Sequence, residues 1–379
     1  MCFNALLRGH NIKRTIPFFN YPALFAREEK ELMPIIHDVL RRGAYIMQRD
    51  LLQFEENLGR YLGVKHVIGV ADGTVALMMG LRAASIGPGD EVIVPSHTFV
   101  ASAAAIHHVG ATPVLADCGA DHLIDAADVA RKIGPRTKGV MPVQLNGRTA
   151  NMDGIEALAR THGLKIVEDS AQALGSKFKG RFAGTFGVAG SCSFYPSKTL
   201  GCFGDGGAVF TNDEGTAEFI RILRDHGRAS SGDVTHWGYN SRLDNIQAAV
   251  LNFKLSRYDQ EVARRREIAA AYNDKLKGLP GLVLPPAPDA DSDHFDIYQN
   301  YEIESDQRDA LRAHLDVSGV KTIIQWGGKT IHQFRDLKLN VDVPATEALT
   351  SRFFLLPMNT SLSNDDVAYV CEQVLHFHR

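Results

Sequence analysis

Lys198 lies in the stretch SFYPSKTLGCFGDGGAVFTND, among the glycines Gly201, Gly204, Gly206 and Gly207. A lysine amine attacks a carbonyl only as the free base, so its pKa must fall from about 10.4 through desolvation or cationic neighbours. A tightly turned backbone beside a strand can carry such a side chain into a buried site, although an ordinary surface lysine in a glycine-rich loop reads the same way. Asp169 ends the run LKIVED and is followed by Ser170, Ala171 and Gln172. Carboxyl ends of strands face ligand crevices in layered folds. A carboxylate there can hydrogen-bond a pyridine nitrogen and keep it protonated, or it can cap a helix. Asp72-Gly73-Thr74 follows HVIGV and opens a helical pattern. The unpaired amides and dipole of a helix start suit a phosphate, and Gly73 and Thr74 add close approach and a hydroxyl, while a plain turn is the alternative. Ser193 can supply a second hydroxyl, and Phe99, just past EVIVP, is either a stacking ring or a core residue.

Each feature is ambiguous singly. Together, in one chain order, they supply a phosphate cradle, a stacking ring, a carboxylate for a pyridinium nitrogen and an imine-forming lysine. Those are the requirements of pyridoxal 5′-phosphate, with Lys198 holding the cofactor in a Schiff base and Asp169 tuning its ring.

Such side chains need a scaffold that gathers strand ends and helix starts. The apolar runs HVIGV (66–70), EVIVP (91–95), TPVLAD (112–117), KGVMPV (138–143), LKIVED (164–169), SCSFY (191–195) and GAVFT (207–211) alternate with helical patterns at 50–62, 74–85, 99–108 and 153–162. This predicts an α/β fold with a mostly parallel sheet flanked by helices. Asp50 and Asp153 are expected in capping positions. A charged helical tract from Leu243 to Leu276 leads into LPGLVLPPAPDADSD, whose Pro, Gly and Asp break it. Beyond lie candidate strands YQNYEIES and VKTIIQW and helices at 306–316 and 363–376. The expected division is a large cofactor-binding domain over 14–250 and a smaller α+β domain over 251–379.

Size agrees, since 379 residues exceed one ordinary domain. With 45% apolar and 22% charged residues and a net charge of −3, the chain offers no field for nucleic acid, and Arg264, Arg265 and Arg266 read as one solvated helix face. The five scattered cysteines lack metal or redox spacing, which predicts a reduced, cytoplasmic protein. MCFNALLRGHNIKR has too short an apolar run for a leader, and no stretch reaches the roughly 20 apolar residues of a membrane span.

The stretches FEENLGRYLGVKHVIGVADGTVAL, DEVIVPSHTFVASAAAI, IVEDSAQALGS, the Lys198 stretch and GYNSRLDNIQAAV together resemble the DegT/DnrJ/EryC/StrS group of sugar aminotransferases, pyridoxal-phosphate enzymes of fold type I. The resemblance implies that Lys198 forms the Schiff base, Asp169 meets the pyridine nitrogen, and Gln172 neighbours the ring hydroxyl. It assigns the phosphate to Gly73, Thr74 and Ser193 and the stacking to Phe99. It also implies that Asn240 reaches the phosphate of an adjacent subunit, so that a homodimer shares its active sites. Related sugar dehydratases carry histidine in place of Lys198, so the lysine favours transamination. The chain departs from the group's pattern at Gln144-Leu145-Asn146-Gly147-Arg148 and at Gln325-Trp326, though His332 fits a histidine expected after that pair.

The implied reaction is ping-pong. L-glutamate gives its amino group to the cofactor, which passes through pyridoxamine 5′-phosphate, and the amine then moves to a ketone of a nucleotide-linked deoxysugar. Arg228, Arg242, Lys329 and His332 are candidates to bind the sugar diphosphate or the glutamate carboxylate. A C4 ketone is the family expectation, with C3 as the alternative. A pyridoxal-phosphate sugar dehydratase or lyase, and a non-enzymatic cofactor-binding regulator, are the rival readings. A dinucleotide module is disfavoured because no G-x-G-x-x-G follows the first strand.

Overall fold

The structure, a computed structural model, describes residues 14–339 and 341–379. Cys2 and most of the N-terminal stretch read above as too short for a leader lie outside the described residues. All seven apolar runs form strands: β1 (His66–Val70), β2 (Glu91–Pro95), β3 (Thr112–Ala116), β4 (Thr137–Val140) and β5 (Lys165–Asp169) come first. A small ribbon of β6 (Lys177–Phe178) and β7 (Arg181–Phe182) precedes β8 (Ala189–Ser193) and β9 (Gly207–Thr211). The main sheet has the order β1-β9-β8-β5-β4-β2-β3. β9 runs antiparallel to both its neighbours, and the remaining pairs are parallel.

Two helices, α1 (Tyr21–Arg42) and α2 (Arg49–Leu62), precede the sheet. Then α3 (Gly73–Ala83), α4 (Val100–His108), α5 (Ala126–Lys132), α6 (Met152–His162) and α7 (Glu214–Arg224) follow β1, β2, β3, β4 and β9. Helices on both faces bury the strands, which is why Val92, Ile93, Val94 and Val140 are fully enclosed. The charged helix α1 escaped the periodicity reading because it carries Pro34 and buries only Leu32 and Val39. The expected caps shift by a residue or two. Asn151, not Asp153, caps α6, and Asp50 lies inside the first turn of α2, where it accepts from Arg42 and Asn245.

Past α8 (Asn245–Leu255) and α9 (Tyr258–Leu276), a second core forms around β10 (Leu282–Val283), β12 (Tyr301–Ser305) and β13 (Phe353–Leu356), while β11 (His294–Phe295) returns to pair with β6. α10 (Arg308–Val317), α11 (Pro344–Thr350) and α12 (Asn364–Phe377) complete this half. Its core joins Ile268 and Tyr272 of α9 to Ile303, Phe354, Leu315 and Val370, and takes in Ile16 from the chain start. Two expectations need correction here. VKTIIQW is not a strand: Ile323 makes a single bridge to Leu355, after which the chain coils through Gln325–Gly328 with Trp326 and Gly327 at positive φ.

The three arginines of α9 do not share a solvated face, because successive helical positions lie about 100° apart. Arg265 is buried, and its Nη1 donates to the carbonyls of Tyr298 (3.1 Å), Gln299 (3.1 Å) and Met358 (2.9 Å). It thereby ties α9 to the segments flanking β12 and β13. The free cysteines Cys118, Cys192, Cys202 and Cys371 are buried, and burial pushes each thiol up to about 12, so they are poor nucleophiles. Among the described residues, no helix is long and apolar enough to cross a membrane.

Replacing Arg265 by alanine leaves three buried carbonyls without their donor. A loss of about 3 kcal/mol in unfolding free energy is expected from chemical denaturation; an unchanged midpoint would contradict the pinning role.

Candidate active site

A cavity of about 900 Å³ opens where the carboxyl ends of the main sheet meet the second core. Gly73, Thr74, Phe99, Asp169, Gln172, Ser193 and Lys198 all line it, so the structure brings together seven residues drawn from four separate stretches of sequence.

The anion end is built by α3. Asp72 caps that helix, its Oδ1 accepting from Val75 N at 2.9 Å, which leaves the amides of Gly73 and Thr74 for the cavity. Gly73 is required by packing: a Cβ there would stand 2.9 Å from Ser193 Cβ. The close approach sets the Ser193 hydroxyl, at the end of β8, beside the helix start. Amides, two hydroxyls and a helix dipole in one place are the donors a phosphate needs.

Asp169, the last residue of β5, is buried. Its Oδ1 accepts from Ala171 N (3.1 Å) and its Oδ2 from Ser102 Oγ (2.7 Å). Ser102 in turn lies 3.1 Å from Thr98 Oγ1. Sequence reasoning missed Ser102, although its place in the first turn of α4, three residues after Phe99, is a signal that could have found it. Phe99 itself is 53% exposed although it lines the cavity, so its face is presented rather than packed into the core.

Lys198 sits in the connection between β8 and β9, where its amide donates to Tyr195 O at 2.8 Å. Burial lowers the pKa of its amine, opposed in part by the charges of Asp169 and Cys192. Free base is therefore present at a lower pH than for an ordinary lysine, as imine formation requires. Gln299, also absent from the sequence reading, clamps this loop from the second core: its Oε1 accepts from Thr199 N (2.6 Å) and Oγ1 (2.7 Å), and its Nε2 donates to Ser197 O (2.7 Å).

The other sequence candidates lie elsewhere in this subunit. Arg228, Lys329 and Asn240 are exposed and do not line the cavity. Arg242 donates to Asp225 (2.7 Å) and to Asn240 Oδ1 (2.6 Å). His332 Nδ1 lies 2.8 Å from Ser96 Oγ and its Nε2 2.5 Å from Glu347. Gln144, one of the departures from the group's pattern, is fully buried and bonds Glu168 and Ala150 N, whereas Gln325 and Trp326 do line the cavity.

A doubly wound sheet with a lysine loop, a buried carboxylate and an open helix start at its strand ends fits a pyridoxal-phosphate enzyme of fold type I. The chain belongs to the DegT/DnrJ/EryC1/StrS aminotransferase family, which matches residues 26–375. It is 43% identical over 313 residues, 82% of each chain, to the dTDP-3-amino-3,4,6-trideoxy-alpha-D-glucose transaminase of Streptomyces venezuelae. The solved structure of S. venezuelae DesV in complex with a ketimine intermediate superposes with a TM-score of 0.92 at 37% identity, covering 96% of this chain and 99% of that one. NtdA of Bacillus subtilis, determined with bound cofactor PMP, matches at 27% identity and a TM-score of 0.88 over 96% of this chain and 85% of its own. The protein is an aminotransferase enzyme whose cofactor is pyridoxal 5′-phosphate, and the donor set described above fits that group.

A Gly73→Ala variant forces its methyl into Ser193. Cofactor affinity is expected to fall about tenfold or more, roughly the 1.4 kcal/mol or greater that one overpacked contact costs, with the fold retained; titration of the apoprotein with pyridoxal phosphate reads this directly.

Proposed function

We propose that the enzyme transfers the amino group of L-glutamate to a ketone of a nucleotide-linked deoxysugar, working as a homodimer with shared active sites. When bound, pyridoxal phosphate supplies an aldehyde for imine exchange and a protonated ring that draws electrons from the carbon being deprotonated. With the cofactor bound, Lys198 Nζ would take the proton from the glutamate α-carbon and deliver it to the cofactor carbon that carries the imine, and in the second half-reaction it would move a proton in reverse, from that carbon to the sugar carbon that becomes an amine. The Asp169 carboxylate, fixed by Ser102 and Ala171, holds the proton on the ring nitrogen. Gly73, Thr74 and Ser193 anchor the phosphate, Phe99 covers a ring face, and Gln172 faces the ring hydroxyl. The retained lysine carries the choice of transamination over dehydration or a purely regulatory role.

The ketone is assigned to C3. The sequence-based preference was C4, but the relative sharing 43% identity is named for a product with nitrogen at C3, and this supports the alternative. The cavity, at about 900 Å³, has room for a sugar beside the cofactor. Arg228, Arg242, Lys329 and His332 stay as proposed ligands for the anionic parts of the substrates; those on exposed segments would serve a neighbouring subunit.

The dimer reading rests on exposed apolar surface. Tyr45, Ile46, Met47 and Leu52 are exposed in and beside the α1–α2 connection, as are Val234 and Trp237 in the loop leading to Asn240, Trp237 at 93%. Such a surface marks an association site. The exposed Val234 and Trp237 before Asn240 support a loop that extends toward a partner's phosphate cradle.

Absorption spectra of the purified protein test the first half-reaction: L-glutamate should convert the visible cofactor band to the pyridoxamine form with release of 2-oxoglutarate, and Lys198→Ala should not respond. Incubating the aminated enzyme with 3-keto and 4-keto nucleotide deoxysugars then decides the carbon, since exclusive 4-amino product would overturn the C3 assignment. Shared sites have their own signature. Mixing inactive Lys198→Ala and Asn240→Ala proteins should restore about a quarter of the wild-type activity per site through hybrid dimers that hold one intact site, whereas no recovery after verified subunit exchange would show that each subunit works alone.

A further inference from the structure

Four side-chain amides, Gln172, Asn146, Asn300 and Gln325, form a closed cluster on the wall that the cavity shares with the second core. Gln172 Oε1 accepts from Asn146 N (2.9 Å) and from Asn300 Nδ2 (3.2 Å). Asn300 Nδ2 also approaches Asn146 Oδ1 (2.9 Å) and Gln325 Oε1 (3.3 Å). Gln325 Nε2 donates to Asn146 Oδ1 (2.9 Å) and to Glu302 Oε2 (2.9 Å), while Gln325 Oε1 receives Gln172 Nε2 at 3.5 Å. An amide can present either end to a neighbour, so its sense must be set by a group that cannot change roles.

Glu302, on β12, is such a group. It is buried, and an ionised carboxylate only accepts. Burial favours its neutral form, but His97 and His122 outweigh this and hold its pKa well below the usual carboxylate range. His97 Nε2 lies 3.2 Å and His122 Nδ1 2.8 Å from Glu302 Oε1. Burial would depress the His122 imidazolium, yet its bonds to Glu302 and Glu304 prevail and raise its pKa to about 10. Glu304 is in turn bonded by Arg352 (2.9 Å), so the charges facing Glu302 from β12, from the segments after β2 and β3, and from the end of α11 leave it anionic at neutral pH.

We propose that Glu302 is a positioning residue that, together with the Asn146 backbone amide, fixes the donor sense of this amide cluster, so that Gln172 presents an N–H, not a carbonyl, to the ring-hydroxyl edge of the cofactor. The carboxylate draws the Gln325 NH₂ to itself and turns Gln325 Oε1 toward Asn300. That orientation points Asn300 Nδ2 at Gln172 Oε1 as well, which the Asn146 backbone amide also holds. With its oxygen held by two donors and one Nε2 hydrogen directed at Gln325 Oε1, Gln172 keeps its second Nε2 hydrogen for the cavity. A donor at that edge stabilises an anionic ring oxygen, and so lowers the proton affinity of the imine nitrogen conjugated with it. The inference rests on the proposed placement of the ring hydroxyl beside Gln172.

The readout is the pH titration of the visible absorption band of cofactor-loaded protein, a property independent of turnover. Glu302→Gln, which preserves shape but can donate as well as accept, should raise the titration midpoint by about one pH unit, the scale of one hydrogen bond to a charged group. Gln325→Met, which cuts the link and leaves Glu302 with its two histidines, should raise it in the same direction. Gln172→Ala tests the ring placement. If Gln172→Ala moves the midpoint while Gln325→Met and Glu302→Gln do not, the relay is overturned and the ring placement stands; if none of the three moves it, both are overturned. A lowered melting temperature in Glu302→Gln with an unmoved midpoint would assign Glu302 to stability alone and also refute the proposal.

Discussion

The constraint on which this molecule depends is that a buried parallel sheet leaves free backbone groups only at its ends. Within the inner strands β2, β4 and β5 the amides and carbonyls face a neighbouring strand on both sides, and the side chains of Val92, Ile93, Val94 and Val140 are consumed by the helices packed on them. Chemistry can be placed only where strands stop and helices begin. Asp169 ends β5, Ser193 ends β8, Gly73 begins α3 and Phe99 precedes α4. The carboxylate, the hydroxyl, the amides and the ring thus converge because the sheet leaves them no other outlet.

Much of this was legible in the sequence. Strands buried on both faces write themselves as Val- and Ile-rich runs, and the residues after each run are by construction near the ligand edge, so Asp169, Gly73 and Phe99 could be picked without coordinates. Lys198 was legible through its glycines. What stayed hidden was held by side chains reaching between distant segments. Ser102 acts through a contact 67 residues away in the chain, and Gln299 through one of 100 residues. Neither leaves a local pattern. Arg265 was misread for a related reason: charge alone said solvent, whereas three carbonyls from two loops made a buried socket for it.

The junction between the two cores is polar, with Glu302 of β12 lying between His97 and His122, and inside the first core Glu168 is fully buried against Gln144 and the amides of Gly184, Phe186 and Gly187. Burial raises the Glu168 pKa against these bonds, while the histidines lower that of Glu302. Apolar packing would join the cores without regard to small sliding errors; hydrogen-bonded charges tolerate none, because each displaced partner leaves a desolvated group unpaired. That intolerance suits an enzyme whose second core supplies Gln299 to the lysine loop and Gln325 to the cavity wall.

The antiparallel strand β9 joins parts of the site that lie near and far along the chain. β8, the lysine loop and β9 are contiguous in the chain and can close on one another as a local unit, whereas β1 pairs with β9 across the whole intervening sheet, His66 against Thr211. Closing the chain over that span costs more entropy than closing the β8–β9 unit. Gly73 meets Ser193 only when β1 is docked on β9, so the paired residues of the phosphate cradle come together only in the finished fold. The cofactor therefore binds native chains in preference to partly folded ones, and its cellular supply acts as a thermodynamic brake on unfolding.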